Sequence, residues 1–330
     1  RELISRIRRF ALRRGQLKRA GHAVIKGIGD DASVLRVPPG HEILLTTDFS
    51  LEGVHFRREW HCAEVVGHRC LARGLSDIAA MGGEPIAAFL SLALPPELPQ
   101  DWVDGFVSGL LKLARRFGIE LAGGDTAQSS SGILADIIVL GFVPKGKAIL
   151  RSGARPGDRI YVSGDLGGSA TALELLSSGK KPAPALCRRH AAPEPRIAAG
   201  RILRQRRLAS AMIDLSDGLS TDLAHVCEES GVGAEIVERW IPRASVGRGA
   251  RGRQVSIEHA LHGGEDYELL FTSSKSIPQK IAGVRITEIG RITRKRRIML
   301  IAGSGSEREL DALGWEHLRT PDARRKRLSR

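Results

Sequence analysis

With 330 residues, 42% hydrophobic and 27% charged, the chain has an ordinary soluble globular composition and enough length for two domains. No run approaches the roughly 18 apolar residues of a membrane span. The net charge of +14 invites a nucleic-acid reading, but no zinc-finger, RRM or helix-turn-helix pattern accompanies it, and a solvated arginine face accounts for it.

Taken in chain order, Leu3, Ile4, Ile7 and Leu12 define an amphipathic helix expected to pack on the body. It has no signal-peptide pattern. The chain opens on Arg1 rather than Met, compatible with a start inside a longer gene product. Strands are expected at Ile43–Thr47, Pro85–Leu94, Ile133–Val143, Arg159–Ser163, Ala211–Leu215, Tyr267–Thr272 and Val284–Arg291. Helices are expected at Cys62–Met81, Gln100–Phe117, Gly168–Leu176, Leu219–Ser230 and Gln254–Leu261. This alternation predicts a mixed α/β fold with its motifs at strand-to-helix joints. The turn-forming stretch Ser152–Asp158 is the expected interdomain joint, giving domains 1–150 and 151–318 and a basic tail 319–330. The apolar runs Ile86–Leu94 and Ile133–Val143 suit a sheet core or a subunit interface. Cys62, Cys70, Cys187 and Cys227 form no CxxC pair and are expected as reduced core thiols of a cytoplasmic protein.

Two phosphate-loop candidates fail. Gly141-Phe-Val-Pro-Lys-Gly-Lys-Ala148 lacks the hydroxyl at its eighth place, and Pro144 removes an N–H that the cradle would use. Gly164–Ser169 could present N–H groups to an anion, but a tight structural turn explains it equally well.

Short acidic motifs are more informative. Asp30 and Asp31, Asp48, Asp77, Asp125, and Asp214 with Asp217 sit beside apolar residues or glycines. Clustered and desolvated, such carboxylates need cations, and oxygen ligands of this kind suit Mg²⁺. Thr46 and Thr47 could add hydroxyl oxygens to Asp48, Ser76 to Asp77, and Ser216 to Asp214 and Asp217. One such motif alone is more often a turn or a cap. Without a phosphate loop, several metal ions could hold phosphates instead.

The motifs Gly27–Ala32, Thr46–Phe56, Leu75–Gly82, Ala122–Thr126, Arg151–Asp158, Ile213–Leu219 and Gly263–Leu269 stand in an order that resembles the thiamine-monophosphate kinase family, within the aminoimidazole ribonucleotide synthetase-like superfamily. The resemblance spans about residues 3–318 and implies a two-domain α/β fold whose N-terminal half dimerises through β-strands. The active cleft would lie between domains and close to the partner subunit. It implies ATP-dependent phosphorylation of thiamine monophosphate to thiamine diphosphate, with several Mg²⁺ ions. The implied Mg²⁺ ligands are Asp31, Thr46, Thr47, Asp48, Asp77, Asp125, Asp214 and Asp217, and the role of Asp30 stays open. Gly124, Asp125, Arg151 and Ser216 are the implied ATP contacts, and His55, Glu265 and Trp315 the substrate contacts. An ionised acceptor phosphate needs no general base, so the metal ligands and Arg151 would carry the transfer. Gly74 departs from the Asn expected at that place. An aminoimidazole ribonucleotide synthetase is the nearest alternative, and a basic nucleic-acid-binding protein a more distant one.

Overall fold

The computed structural model describes residues 6, 7, 9, 23–28, 31–246 and 253–316. Asp30, Leu3, Ile4, Leu12 and the basic tail lie outside them. Of the N-terminal helix, Ile7 is buried and Arg6 pairs with Asp104.

The first half builds one sheet. After the short pair β1 (Val24–Lys26) and β2 (Val34–Leu35) come β3 (His41–Leu51), α1 (Ala63–Ala80), β4 (Glu84–Leu94), α2 (Gln100–Phe117), β5 (Glu120–Gln128) and β6 (Leu134–Pro144). The strand order is β3-β6-β4-β5, antiparallel except for the parallel pair β4–β5. Alternation along β3 and β4 sends Leu44, Ser50, Ala88, Leu90 and Leu92 to a buried face. α2 buries Val103, Phe106, Val107, Leu110 and Ala114 at helical spacing and stops at Gly118, whose φ of 67° is the left-handed C-terminal conformation. The two helices cross closely: a Cβ on Gly67 would lie 1.9 Å from the Phe106 carbonyl oxygen, and one on Gly109 2.0 Å from that of Glu64. The opposite face of the sheet exposes Ile43 (51%), Leu45 (65%) and Phe49 (54%).

The second half follows with β7 (Arg159–Ser163), α3 (Gly168–Ser177), α4 (Pro184–Ala191), α5 (Ile197–Gln205), β8 (Ala211–Asp214), α6 (Leu219–Ser230) and β9 (Gly233–Val237). Then come α7 (Ile257–His262), β10 (Leu269–Ser273), β11 (Lys280–Ile281), β12 (Val284–Thr293), β13 (Ile298–Ile301) and β14 (Glu307–Glu309). Its eight-stranded sheet runs β14-β13-β9-β12-β7-β10-β8, with β11 paired to β12. Strand β7 and helices α2 and α6 have the bounds expected from sequence, while β5, α4, β9 and the last two strands had no expectation. The expected helix from Gln254 begins only at Ile257, because Gln254 bridges Ser245 and Ser256 caps the helix by accepting from the His259 N–H.

Further corrections concern small features. Only Cys70 and Cys227 are core thiols; Cys62 and Cys187 are exposed. The N–H groups at the start of α3 are taken by the protein itself: Asp266 accepts from the Gly167 N–H (2.6 Å) and the Ser169 N–H (3.4 Å). Gly74 has a packing reason, since a Cβ there would lie 2.6 Å from Val139 Cγ2.

Candidate active site

Three acidic residues from three elements meet where the halves join. Asp48 lies inside β3, Asp77 inside α1 and Asp214 at the end of β8. The expectation that these motifs sit at strand-to-helix joints therefore holds for Asp214 and Asp217 but not for Asp48, Asp77 or Asp125. The reason is that α1 covers the buried face of the sheet and carries Asp77 over β3. Asp48 is pushed up to about 7 by burial first and by Asp77 second, against the pull of Arg73. Asp214 is pushed up to about 8, again by burial and then by Asp77. Asp77 is raised by burial while its hydrogen bond from Thr46 holds it down. Fully ionised, the trio requires outside positive charge.

The hydroxyls are arranged differently from the expectation. Thr46 Oγ1 donates to Asp77, and Ser76 Oγ donates to Asp214 Oδ2 at 2.7 Å. Thr47 Oγ1 donates to Asp136 Oδ1 (2.7 Å) on the other face of the sheet, away from Asp48. The cause is strand alternation, which turns Thr46 and Asp48 toward α1 and Thr47 away.

Around the trio the second half contributes loops tied by backbone hydrogen bonds. The Glu265 N–H donates to the Ser216 carbonyl (2.8 Å), and the Trp315 N–H donates to the Asp217 carbonyl (3.0 Å). Asp222, buried beneath them, accepts from the N–H groups of Asp217 (3.2 Å) and Gly218 (3.0 Å). Arg151 is anchored through its carbonyl to Ser230 Oγ (3.1 Å), and its positive charge acts on both Asp77 and Asp214. Half-buried His55 sits in the turn after β3, where its Nδ1 accepts from the Leu51 N–H at 3.0 Å.

Two expected ligands stand elsewhere. Asp125 lies on β5, three strands from β3, about 14 Å at the usual strand spacing. Its register row contains Ser91 and Asp136, so it shares the face of Thr47 rather than that of Asp48. Gly124, beside it, has φ of 146° and runs against Leu90. Asp31 is exposed in the β1–β2 turn, and nearby Ser33 Oγ donates to the Ala122 carbonyl of β5 at 2.6 Å. Among the described residues no three His, Cys, Asp or Glu side chains form a ready-made metal cage. The trio with its hydroxyls is an open oxygen donor set, the kind Mg²⁺ completes with phosphate and water.

Sequence reading missed the seam that holds this site together. Arg69 of α1 donates to Glu265 Oε1 (2.6 Å) and to the His190 carbonyl. Burial favours a neutral Glu265, but Arg69, His190 and Arg73 outweigh it and lower the carboxyl to about 2. Glu265 also has a φ of 65°, rare for a residue with a side chain. His61 Nε2 and His190 Nε2 are 2.8 Å apart, and Ser169 Oγ lies 2.9 Å from His190 Nδ1. Burial and then Arg69 lower His190 to about 3, so its 3.9 Å approach to Glu265 is not an ion pair near neutral pH. The i, i+4 placement of Arg69, Arg73 and Asp77 on α1 was the available signal.

Comparison with known proteins places this architecture. The family model for AIR synthase related protein, N-terminal domain, matches residues 29–143, and that for the C-terminal domain matches residues 155–302. The chain is thus a two-domain protein of the AIR synthase related class. It is 38% identical to the thiamine-monophosphate kinase of Escherichia coli over 89% of this chain and 92% of that one. Among solved structures, the thiamine-monophosphate kinase of Stenotrophomonas maltophilia superposes with a TM-score of 0.77 at 35% identity, covering 90% of this chain and 95% of that one. AaThiL complexed with AMPPCP and TMP superposes with a TM-score of 0.74 at 34% identity, covering 86% and 89%. The chain belongs to the thiamine-monophosphate kinase family.

Proposed function

We propose that the protein transfers the γ-phosphoryl group of ATP to thiamine monophosphate, yielding thiamine diphosphate, as a Mg²⁺-dependent homodimer with domains 1–150 and 151–318. The observation that carries this reading is the desolvated trio Asp48, Asp77 and Asp214, assembled from both halves and flanked by Arg151. Family membership and the relative bound to AMPPCP and TMP support the choice of substrates. The donor set fits a hard divalent cation, and Mg²⁺ bound there would neutralise charge on the phosphates.

This chain's residues have separable tasks. Asp48, Asp77, Asp214 and Asp217, with Thr46, would hold the metal ions. Arg151 and Ser216 would position the nucleotide, with Gly124 acting beside Asp125 from the β5 edge. Glu265, fixed as an anion by Arg69, suits a cationic or N–H-bearing partner, and His55 and the half-exposed Trp315 ring would receive the heterocycles. The acceptor oxygen is already ionised, so in-line placement rather than proton removal sets the rate.

The wide separation of Asp125 from Asp48 supports a site completed across a dimer. Exposed Ile43, Leu45 and Phe49 on the open sheet face suit burial against a second copy. There the partner copy's β5 edge would bring Asp125 and the nearby Asp31 into service, while Thr47 stands on the same open face at β3. Incubation with ATP, Mg²⁺ and thiamine monophosphate should give thiamine diphosphate and ADP in equal amounts. ATP turnover without thiamine diphosphate would refute the assignment.

A further inference from the structure

Arg73 is a cation that approaches Asp48 as an ion pair yet makes no hydrogen bond among the described residues. It stands on α1 between Arg69, which clamps Glu265, and Asp77 of the acidic trio. These three residues are spaced i, i+4 and i+8, so they form one stripe along the helix. The stripe connects the two sides of the interdomain seam. Arg73's side chain is only 15% exposed, and its closest charged neighbour is Asp48 Oδ1, 3.8 Å from Nε. That is too long for a hydrogen bond. Nε is buried with no hydrogen-bond partner, and among the described residues no hydrogen bond from this guanidinium is seen. Its neighbour Arg69, by contrast, uses both terminal nitrogens.

Leaving the Nε–H of a guanidinium buried and unsatisfied is costly, because that donor gives up water without replacement. The groups that act on it come from both halves: Tyr267, Asp48 and Glu265. Ordinary electrostatic repair of Asp48 would favour direct contact, and the side chain stops short of it. An oxygen-rich anion held by metal ions beside Asp48 would lie next to this guanidinium and accept from its terminal nitrogens, which are not among the buried unpartnered atoms. A planar fork of donors matches phosphate.

Resting on the kinase reading above, we propose that Arg73 is a catalytic residue that donates hydrogen bonds to the phosphoryl group in transit between nucleotide and acceptor phosphate. In that step an acceptor-phosphate oxygen forms a bond to the γ-phosphorus. The bond from that phosphorus to the β-bridging oxygen breaks, and its electron pair leaves with ADP. No proton changes place, and Arg73 stays charged throughout. Its donors meet the charge spread over the equatorial oxygens, where fixed donors act most strongly.

The test uses the full chain with Arg73→Met, Arg73→Lys and Arg73→Ala, each checked for unchanged thermal melting. The expected kcat loss in Arg73→Met is on the order of 100-fold, with a smaller change in KM for ATP. Arg73→Lys should recover only part of it. Added guanidinium ion should restore Arg73→Ala in part, and sodium chloride of equal ionic strength should not. Independently, calorimetry with pyrophosphate and Mg²⁺ should show affinity about tenfold weaker in Arg73→Met than in wild type. Equal pyrophosphate affinity overturns the proposal. So does full recovery of kcat by changing Mg²⁺ concentration alone, which would make Arg73 only a counter-charge to Asp48. A wild-type protein that makes no thiamine diphosphate sinks the kinase reading, while the pyrophosphate comparison still decides the role of Arg73.

Discussion

If the active site is shared between two copies, two inactive variants should rescue each other, and the size of the rescue is fixed by symmetry. The perturbations are Asp48→Asn and Asp125→Asn, both of which remove a carboxylate without removing volume. Within one chain the two residues lie on strands three apart, about 14 Å along the sheet, and their side chains leave opposite faces. Two oxygens on one Mg²⁺ can be no more than about 4 Å apart. One chain therefore cannot use both residues on one ion. In a twofold dimer each site would take Asp48 from one copy and Asp125 from the other. Each variant alone should be inactive. Equal amounts, unfolded together and refolded, give half mixed dimers, and each mixed dimer holds one intact and one doubly altered site. Thiamine diphosphate formation should return to about a quarter of the wild-type rate. The assay is turnover of the refolded mixture against each variant refolded alone. A mixture no more active than its components would refute the shared site, because both residues would then serve the same chain.

Other consequences are open to simple measurement. Asp217→Ala should abolish turnover while circular dichroism and melting stay unchanged, and undiminished activity would remove Asp217 from the metal ligands. Arg196 donates to Glu268 Oε2 at 2.6 Å, and Glu268 is 2% exposed; Arg196→Ala should therefore cost about 3–5 kcal/mol in urea unfolding by stranding a buried carboxylate. His190 is lowered from 6.5 to about 3 by burial and then by Arg69, so the unfolded chain binds the extra proton between those values. Its contribution is intact above about pH 6.5 and lost as pH falls toward 3. Between pH 6.5 and 5.5 wild type should lose about 1 kcal/mol relative to His190→Asn, and parallel stability curves would contradict this.

What the sequence disclosed depended on how local each signal was. Helix α2 was legible to the residue because its apolar spacing is regular, and Pro99 and Gly118 bracket it. Strand β5, Glu-Leu-Ala-Gly-Gly-Asp-Thr-Ala-Gln, was not, since its central glycines have low strand propensity. It forms because β4 offers a parallel partner, and a Cβ on Gly124 would lie 1.8 Å from the Leu90 carbonyl oxygen. Among the candidate site residues, acidic motifs singled out the trio that the fold brings together but could not reveal that Asp125 belongs to a different edge. That fact resides in strand order, which sets β3 and β5 at opposite edges of the sheet with β6 and β4 between them. The seam was equally hidden. Arg69, His61, His190 and Glu265 come from distant segments, Arg69 and Glu265 alone being 196 residues apart, and each alone is an unremarkable polar residue. Their joint position matters because the trio draws Asp48 and Asp77 from one half and Asp214 from the other. Loosening Arg69 from Glu265 would therefore disturb the acidic trio as well as the Glu265 loop. On the kinase reading, a site split in this way would make interdomain packing part of catalysis: the same helix that buries Val66, Leu71 and Ile78 in the core carries both Arg69 of the seam and Asp77 of the trio.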